Sequence, residues 1–379
     1  MDLRAHLLDL VAPLAIGDAI DGGFTLLRAS SELGLRLTFG ASDGSLVHVE
    51  LAMIEDAPRY AARTDRLALG YRTGGAETVD AAVGLALCRA VAARVAPNEA
   101  AVLARLESAR EHAEGEARVR EVEVSELLQP ADGFETLSPY VGCVIGCRFC
   151  YAQSRLAGTR RLLGLRDARW GSWVDVRVNA PRVLELELRD RPRIPIKLCP
   201  IVSDPYQALE RTYRLTRACL EVLAQDAPDV PVLIATRSAL VLDDLALLAR
   251  MPRSYVAFSI PTIDDAVRAH FEPRAASVSE RLDALETLKA HGVRTCAVVQ
   301  PQLPGSVDAL ADALASRVAA VSLDVLRGEE GAAQDFEDPR YRESRTEAWQ
   351  RERLAALSDA LLARGVALFE GELPPDLAG

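Results

Sequence analysis

The stretch TLSPYVGCVIGCRFCYA, Thr136–Ala152, decides the fold. Leu137–Val141 reads as a short strand, and the loop behind it carries Cys143, Cys147 and Cys150. A loop of this length can wrap three thiolates around one metal centre. Soft thiolates favour zinc or an iron–sulfur cluster over magnesium or calcium. A closed zinc site takes four ligands, yet the next cysteine is Cys199 and the next histidine is His270. Three ligands on a four-iron cluster instead leave one iron open, which suits catalysis. Zinc and structural thiols remain the alternatives at this point.

Outward from the loop, short apolar runs alternate with amphipathic ones. Leu137–Val141, Ile194–Ile201, Val232–Thr236, Tyr255–Ile260, Thr295–Val299 and Ala319–Leu323 read as strands. Between them, Pro181–Leu188, Glu210–Ala224, Leu240–Ala249, Val278–Ala290 and Val307–Arg317 have helical spacing. Alternation of this kind implies a parallel sheet. The expected fold is therefore α/β, a partial (β/α)6 TIM-type barrel with chemistry at the C-terminal ends of its strands. Thr346–Arg364 and Val366–Phe369 supply a last helix and a run that caps or closes the sheet.

Residues before the barrel read as an α+β appendage of unknown role. The division falls between residues 1–115 and 116–379, in the charge-dense EHAEGEARVREVEVSE of Glu111–Glu126. Phe24–Leu37 and Leu46–Ile54 are expected to pair around a Gly40–Gly44 turn. Val79–Val95 is expected to be a helix that ends before Pro97, and TGGAE at Thr73–Glu77 to be a turn.

Composition narrows the class. Of the 379 residues 49% are hydrophobic, an ordinary globular value, and the net charge is -11. A chain this acidic is a poor match to a phosphate backbone, so nucleic acid is not the expected partner. The apolar run Leu7–Ile20 is broken by Asp9 and Asp18 and lacks a basic leader. Neither a signal peptide nor a membrane span is therefore expected, and the expected location is cytoplasmic. Seven cysteines in so long a chain do not make a disulfide scaffold.

With x3 and x2 spacing after the first strand, the cysteine loop resembles that of the radical S-adenosylmethionine (radical SAM) superfamily. The resemblance extends to the branch related to spore photoproduct lyase. It is carried by TLSPYVGC and FCYA around the loop, WGSWVDVRVNAP at Trp170–Pro181 and SDPYQALE at Ser203–Glu210. LTR at Leu215–Arg217, ATRSALVLDDLALL at Ala235–Leu248, FSIPT, FEPRAAS and QPQLPGSVD follow in order. Ser138 and Val141 depart from that pattern, at positions the family commonly fills with Asn and Arg.

The resemblance implies a [4Fe-4S] cluster on Cys143, Cys147 and Cys150 whose unique iron binds S-adenosyl-L-methionine. An external electron donor of flavodoxin or ferredoxin type drives its reductive cleavage, and the 5′-deoxyadenosyl radical abstracts hydrogen from an unidentified peptide, protein or metabolite. Phe149 is expected near the adenine. Ser203 and Asp204 are expected at the methionine ammonium, unless they serve as helix caps. Arg237 would pair with the carboxylate, and Ser259 and Gln300 would bond a carboxylate or ribose oxygen. Cys199 is a candidate hydrogen donor set against a buried inert thiol. Cys88, Cys219 and Cys296 read as core, and His48 and His270 show no partner spacing. Two other readings stand beside this one: repair of a DNA lesion, and a cluster-bearing electron carrier that does not cleave S-adenosylmethionine.

Overall fold

The computed structural model describes residues 7–20, 23–31, 34–57, 59–75, 79–111, 119–131, 133–156, 169–198, 202–326, 329–371 and 373–374. The chain forms two compact units, Met1–Glu116 with Arg155–Ala168, and Ala117–Ser154 with Arg169–Gly379. No helix among the described residues is long and apolar enough to cross a membrane.

Period-two alternation builds the first unit. Strands β1 (Ala19–Ile20), β2 (Phe24–Ser30), β3 (Leu35–Gly40), β4 (Ser45–Met53), β5 (Ala62–Arg63) and β6 (Leu67–Gly75) form an antiparallel sheet in the order β1-β2-β3-β4-β6-β5. One face carries Leu37, Phe39, Val47, Val49 and Leu69 into a core shared with the helix Ala81–Glu111. Three expectations need correcting. Phe24–Leu37 is two strands rather than one, with residues 32–33 outside the described set. Thr73–Gly75 continue β6 opposite Ser45–Val47 instead of turning, while residues 76–78 lie outside the described set. The helix runs through Pro97 to Glu111. A mid-helix proline costs about 3 kcal/mol, but Val102, Leu103 and Leu106 beyond it are buried in the same core. Each such burial is worth about 1.5–3 kcal/mol, so packing outweighs the break.

The opposite sheet face yields a pH prediction. His48 faces Thr38, whose Oγ1 lies 3.0 Å from its Nδ1. Burial, with Arg36 and Arg72 adding to it, pushes the His48 pKa down from 6.5 to about 4. Between those values the unfolded chain binds more protons than the folded one. Stability is thus full above pH 6.5 and falls as pH drops through this window. The expected loss is roughly 2 kcal/mol, read as a lower urea midpoint for this unit at pH 4.5 than at pH 7.5. A His48→Asn variant should lose most of that pH dependence; an unchanged dependence would assign it to other groups.

In the second unit, β8 (Leu128–Pro130) pairs antiparallel with β9 (Glu135–Leu137). From β9 the main sheet continues through β12 (Ile196–Leu198), β13 (Val232–Thr236), β14 (Ser254–Ser259), β15 (Arg294–Val299), β16 (Ala320–Leu323) and β17 (Ala367–Phe369). Each neighbouring pair from β9 to β17 is parallel. Strand order follows chain order without the reversal of a doubly wound sheet. Beside it stand β7 (Val119–Val122), β10 (Tyr140–Val141) and β11 (Val174–Arg177), in the order β10-β11-β7. Helices Ala180–Asp190, Leu215–Asp226, Val278–Ala290, Val307–Ala315 and Glu347–Ala363 contribute Leu184, Leu220, Leu285, Leu314 and Leu361 to the core around Ile234, Val256 and Val321.

Most sequence elements match to within a residue or two, and the differences are local. Leu137–Val141 is split, because Pro139 has no N–H for a ladder. Its halves join different sheets, with Arg177 donating to the Pro139 carbonyl at 3.1 Å. Glu210–Ala224 breaks at Arg214, whose φ is 52°, giving Glu210–Tyr213 and Leu215–Asp226. Leu240–Ala249 is a 3-10 segment, Ala239–Asp244, followed by the single helical turn Leu245–Leu248.

Candidate active site around the cysteine loop

The loop is held from both sides before any cysteine is reached. Gly142 N donates to Val202 O at 3.0 Å. The Gly142 carbonyl accepts from Ser203 Oγ at 2.7 Å and from Gln207 Nε2 at 3.3 Å. Gln207 also donates to Ser203 Oγ at 2.7 Å and accepts from Val144 N at 2.8 Å. On the far side, Arg148 N donates to Phe271 O at 2.9 Å, and Arg148 is ion-paired with Asp335. Arg274 donates to Gly171 O at 2.9 Å, fastening the turn that presents Trp170.

So fixed, Cys143, Cys147 and Cys150 line one small, partly open cavity with Ile145, Trp170, Ser203, Asp204 and Arg237. Ser203 and Asp204 follow β12, and Arg237 follows β13. Burial pushes the Cys143 thiol up to about 12, and Asp204 adds to it. Burial raises Cys147 and Cys150 as well, opposed by the nearby Arg237. Metal binding must therefore displace protons here. Among the described residues no group of three His, Cys, Asp or Glu side chains is gathered as a single ion needs; zinc would require sulfurs about 2.3 Å from one centre. Three soft thiols set around a shared cavity fit a cluster better than one ion.

The Asp204 carboxylate in the wall accepts three hydrogen bonds. One oxygen accepts from Tyr206 N at 2.9 Å and Thr236 Oγ1 at 2.7 Å, the other from Arg237 N at 2.8 Å. It makes a tight turn rather than a helix cap, since the next helix begins at Glu210. Arg237 lies with its guanidinium 5.8 Å from the Phe149 ring centroid and donates from Nε to Glu272 at 2.6 Å. Burial opposes its charge, but the Cys147 thiol and Glu272 together hold its pKa above the ordinary value.

Phe149, Ser259 and Gln300 lie outside the cavity lining. Phe149 is buried, its ring 6.2 Å from that of Phe271. Ser259 is buried at the end of β14, and its Oγ has no hydrogen-bond partner among the described residues. Gln300 donates to Asp324 at 3.1 Å. Cys199 falls in residues 199–201, outside the described set. Cys88, Cys219 and Cys296 are buried core thiols. His270 does find neighbours: its Nε2 lies 2.9 Å from Asp335 Oδ1, without hydrogen-bond alignment, and its ring packs on Tyr341. Sequence reasoning missed Gln207, Glu272 and Arg281, although SDPYQALE and FEPRAAS contain the first two.

Residues 137–315 match the model of the Radical SAM superfamily. An uncharacterised protein of Methanocaldococcus jannaschii is 30% identical over 173 residues, 45% of this chain and 61% of that protein. The Radical SAM Nalpha-GlyT isomerase of Pseudomonas phage M6 is 27% identical over 170 residues, 45% of this chain and 33% of that protein. The chain thus spans between a third and three fifths of these relatives. Among solved structures, a mutant of spore photoproduct lyase aligns with TM-score 0.49 and 15% identity over 68% of this chain and 82% of that one. Streptococcus suis SuiB bound to S-adenosylmethionine aligns with TM-score 0.43 and 13% identity over 75% and 56%. The superfamily's cofactors are a [4Fe-4S] cluster and S-adenosyl-L-methionine, and three thiols meet in this cavity among the described residues. The family match over residues 137–315 and the cysteine cavity both point to the radical SAM superfamily.

Proposed function

We propose that the protein is a radical SAM enzyme acting on a peptide, protein or small metabolite. The observation that carries this reading is the cavity itself, where three thiols share one wall with a buried guanidinium. In this reading the main sheet, ordered along the chain, is a partial (β/α)6 barrel and residues 1–115 are an appended domain. When bound, the cluster would supply one electron to S-adenosylmethionine, giving methionine and a 5′-deoxyadenosyl radical that becomes 5′-deoxyadenosine by taking a hydrogen atom from the substrate.

The chain's own residues do the holding. Cys143, Cys147 and Cys150 ligate iron, while Ile145 and Trp170 keep water from the cavity. Arg237 offers its terminal nitrogens to the methionine carboxylate, since only its Nε is spent on Glu272. Ser259, whose buried hydroxyl lacks a partner among the described residues, is suited to a ligand oxygen. Phe149 supports Arg237 from beneath and Gln300 stands at the neighbouring strand tip. The electron comes from a flavodoxin or ferredoxin type of donor.

Deuterated candidate substrates test the reading. Incubation of the reduced, cluster-loaded chain with each class should move deuterium into 5′-deoxyadenosine for one of them. Transfer from a DNA lesion substrate alone would replace the proposed substrate class. Cleavage without transfer from any class tried would contradict hydrogen abstraction from those substrates.

A further inference from the structure

We propose that Glu272 and Arg281 are positioning residues, a buried carboxylate–guanidinium clamp that aims the outer edge of Arg237 at the carboxylate of an amino-acid-bearing ligand. The proposal rests on the radical SAM reading of the cavity and extends it to residues that do not line it.

Glu272 and Arg281 are completely buried. One Glu272 oxygen accepts from Arg237 Nε at 2.6 Å and the other from Arg281 Nη2 at 2.5 Å. Arg281 spends its remaining groups on backbone, with Nη1 donating to Ser259 O at 2.6 Å and Nε to Ala276 O at 2.9 Å. Ala276 N returns to Arg237 O at 3.1 Å. The clamp therefore ties the tip of β13, at Arg237, to the tip of β14, at Ser259.

Simple packing does not explain this arrangement. Taking charges out of water costs several kcal/mol each, and apolar residues of similar volume often serve stability as well or better. Here two guanidiniums share one carboxylate, so the cluster of side chains keeps a net positive charge, and the guanidinium on the cavity side belongs to Arg237. Glu272 takes Nε alone, which fixes the guanidinium plane and leaves both terminal nitrogens for a bidentate partner. A carboxylate matches that fork. Outer-shell partners of this kind typically change affinity or activity 10–100-fold when removed.

The test compares two ligands on the full chain, loaded with its cluster under anaerobic conditions. S-adenosylmethionine and decarboxylated S-adenosylmethionine are titrated against the electron paramagnetic resonance signal of the reduced cluster, with iron and sulfide counted in parallel. Glu272→Gln should keep the wild-type cluster content and weaken S-adenosylmethionine binding about 30-fold. It should weaken the decarboxylated ligand less than about threefold, because that ligand has no carboxylate for Arg237 to meet. Equal weakening of both ligands, or of neither, overturns the proposal and leaves Glu272 a structural residue. Should Glu272→Gln lose its cluster, Arg281→Lys keeps the charge but not the fork, and the same selective loss is expected from it. A wild-type chain whose cluster never responds to S-adenosylmethionine contradicts the functional reading itself, whereas a responsive wild type with an unselective variant contradicts only the clamp.

Discussion

Replacing any one of Cys143, Cys147 or Cys150 with alanine is expected to abolish the cluster, leaving less than about a tenth of the wild-type iron after anaerobic reconstitution. Among the described residues of the cavity lining, Cys143, Cys147 and Cys150 are the three thiols, so the loss of one is expected to leave the site without a thiol in its place. The protein itself should survive. Exchanging one buried thiol for a methyl group removes few contacts and costs about 1 kcal/mol. Cys219→Ala is the matched control, because Cys219 is buried in the core of the same unit. Visible absorption and iron content distinguish the two positions. A Cys147→Ala variant that kept its colour would show that the loop is not the iron site.

Gly142→Ala should cost about 3 kcal/mol and reduce cluster loading, because two penalties fall on one atom. Gly142 sits at φ +88°, in the left-handed region, where an L side chain costs about 1–2 kcal/mol. A Cβ there would also lie 2.4 Å from the Trp173 carbonyl oxygen. Backbone cannot swing aside as a flexible side chain can, so β11 or the cysteine loop must shift, adding about 1–3 kcal/mol. Gly133→Ala separates the terms. Its φ is +77°, but nothing lies within 4 Å of the added methyl, so only the conformational penalty applies. Urea unfolding of the two variants should differ by the packing term; equal midpoints would contradict the contact.

Strands β12 to β16 were legible in the sequence because strands buried on both faces read as continuous apolar runs, and Val232–Thr236 is one of them. The three cysteines were legible because their spacing is local. Arg237 and Asp204 could be placed because strand tips follow from strand assignment. Glu272 and Arg281 could not, since the Arg237 contact spans 35 residues and nothing in FEPRAAS says which buried charge meets which. The same holds for His270 and Asp335. Pro97 misled because a local rule met a tertiary core that overrode it. Pro139 misled in the other direction: read as part of one strand, it divides two sheets.

The anaerobically reconstituted chain is reduced with dithionite in the presence of S-adenosylmethionine, and 5′-deoxyadenosine is quantified by mass spectrometry beside a Cys147→Ala control. The intact chain should release 5′-deoxyadenosine, and the control none above background. A fully loaded, reducible cluster that releases no 5′-deoxyadenosine would contradict it.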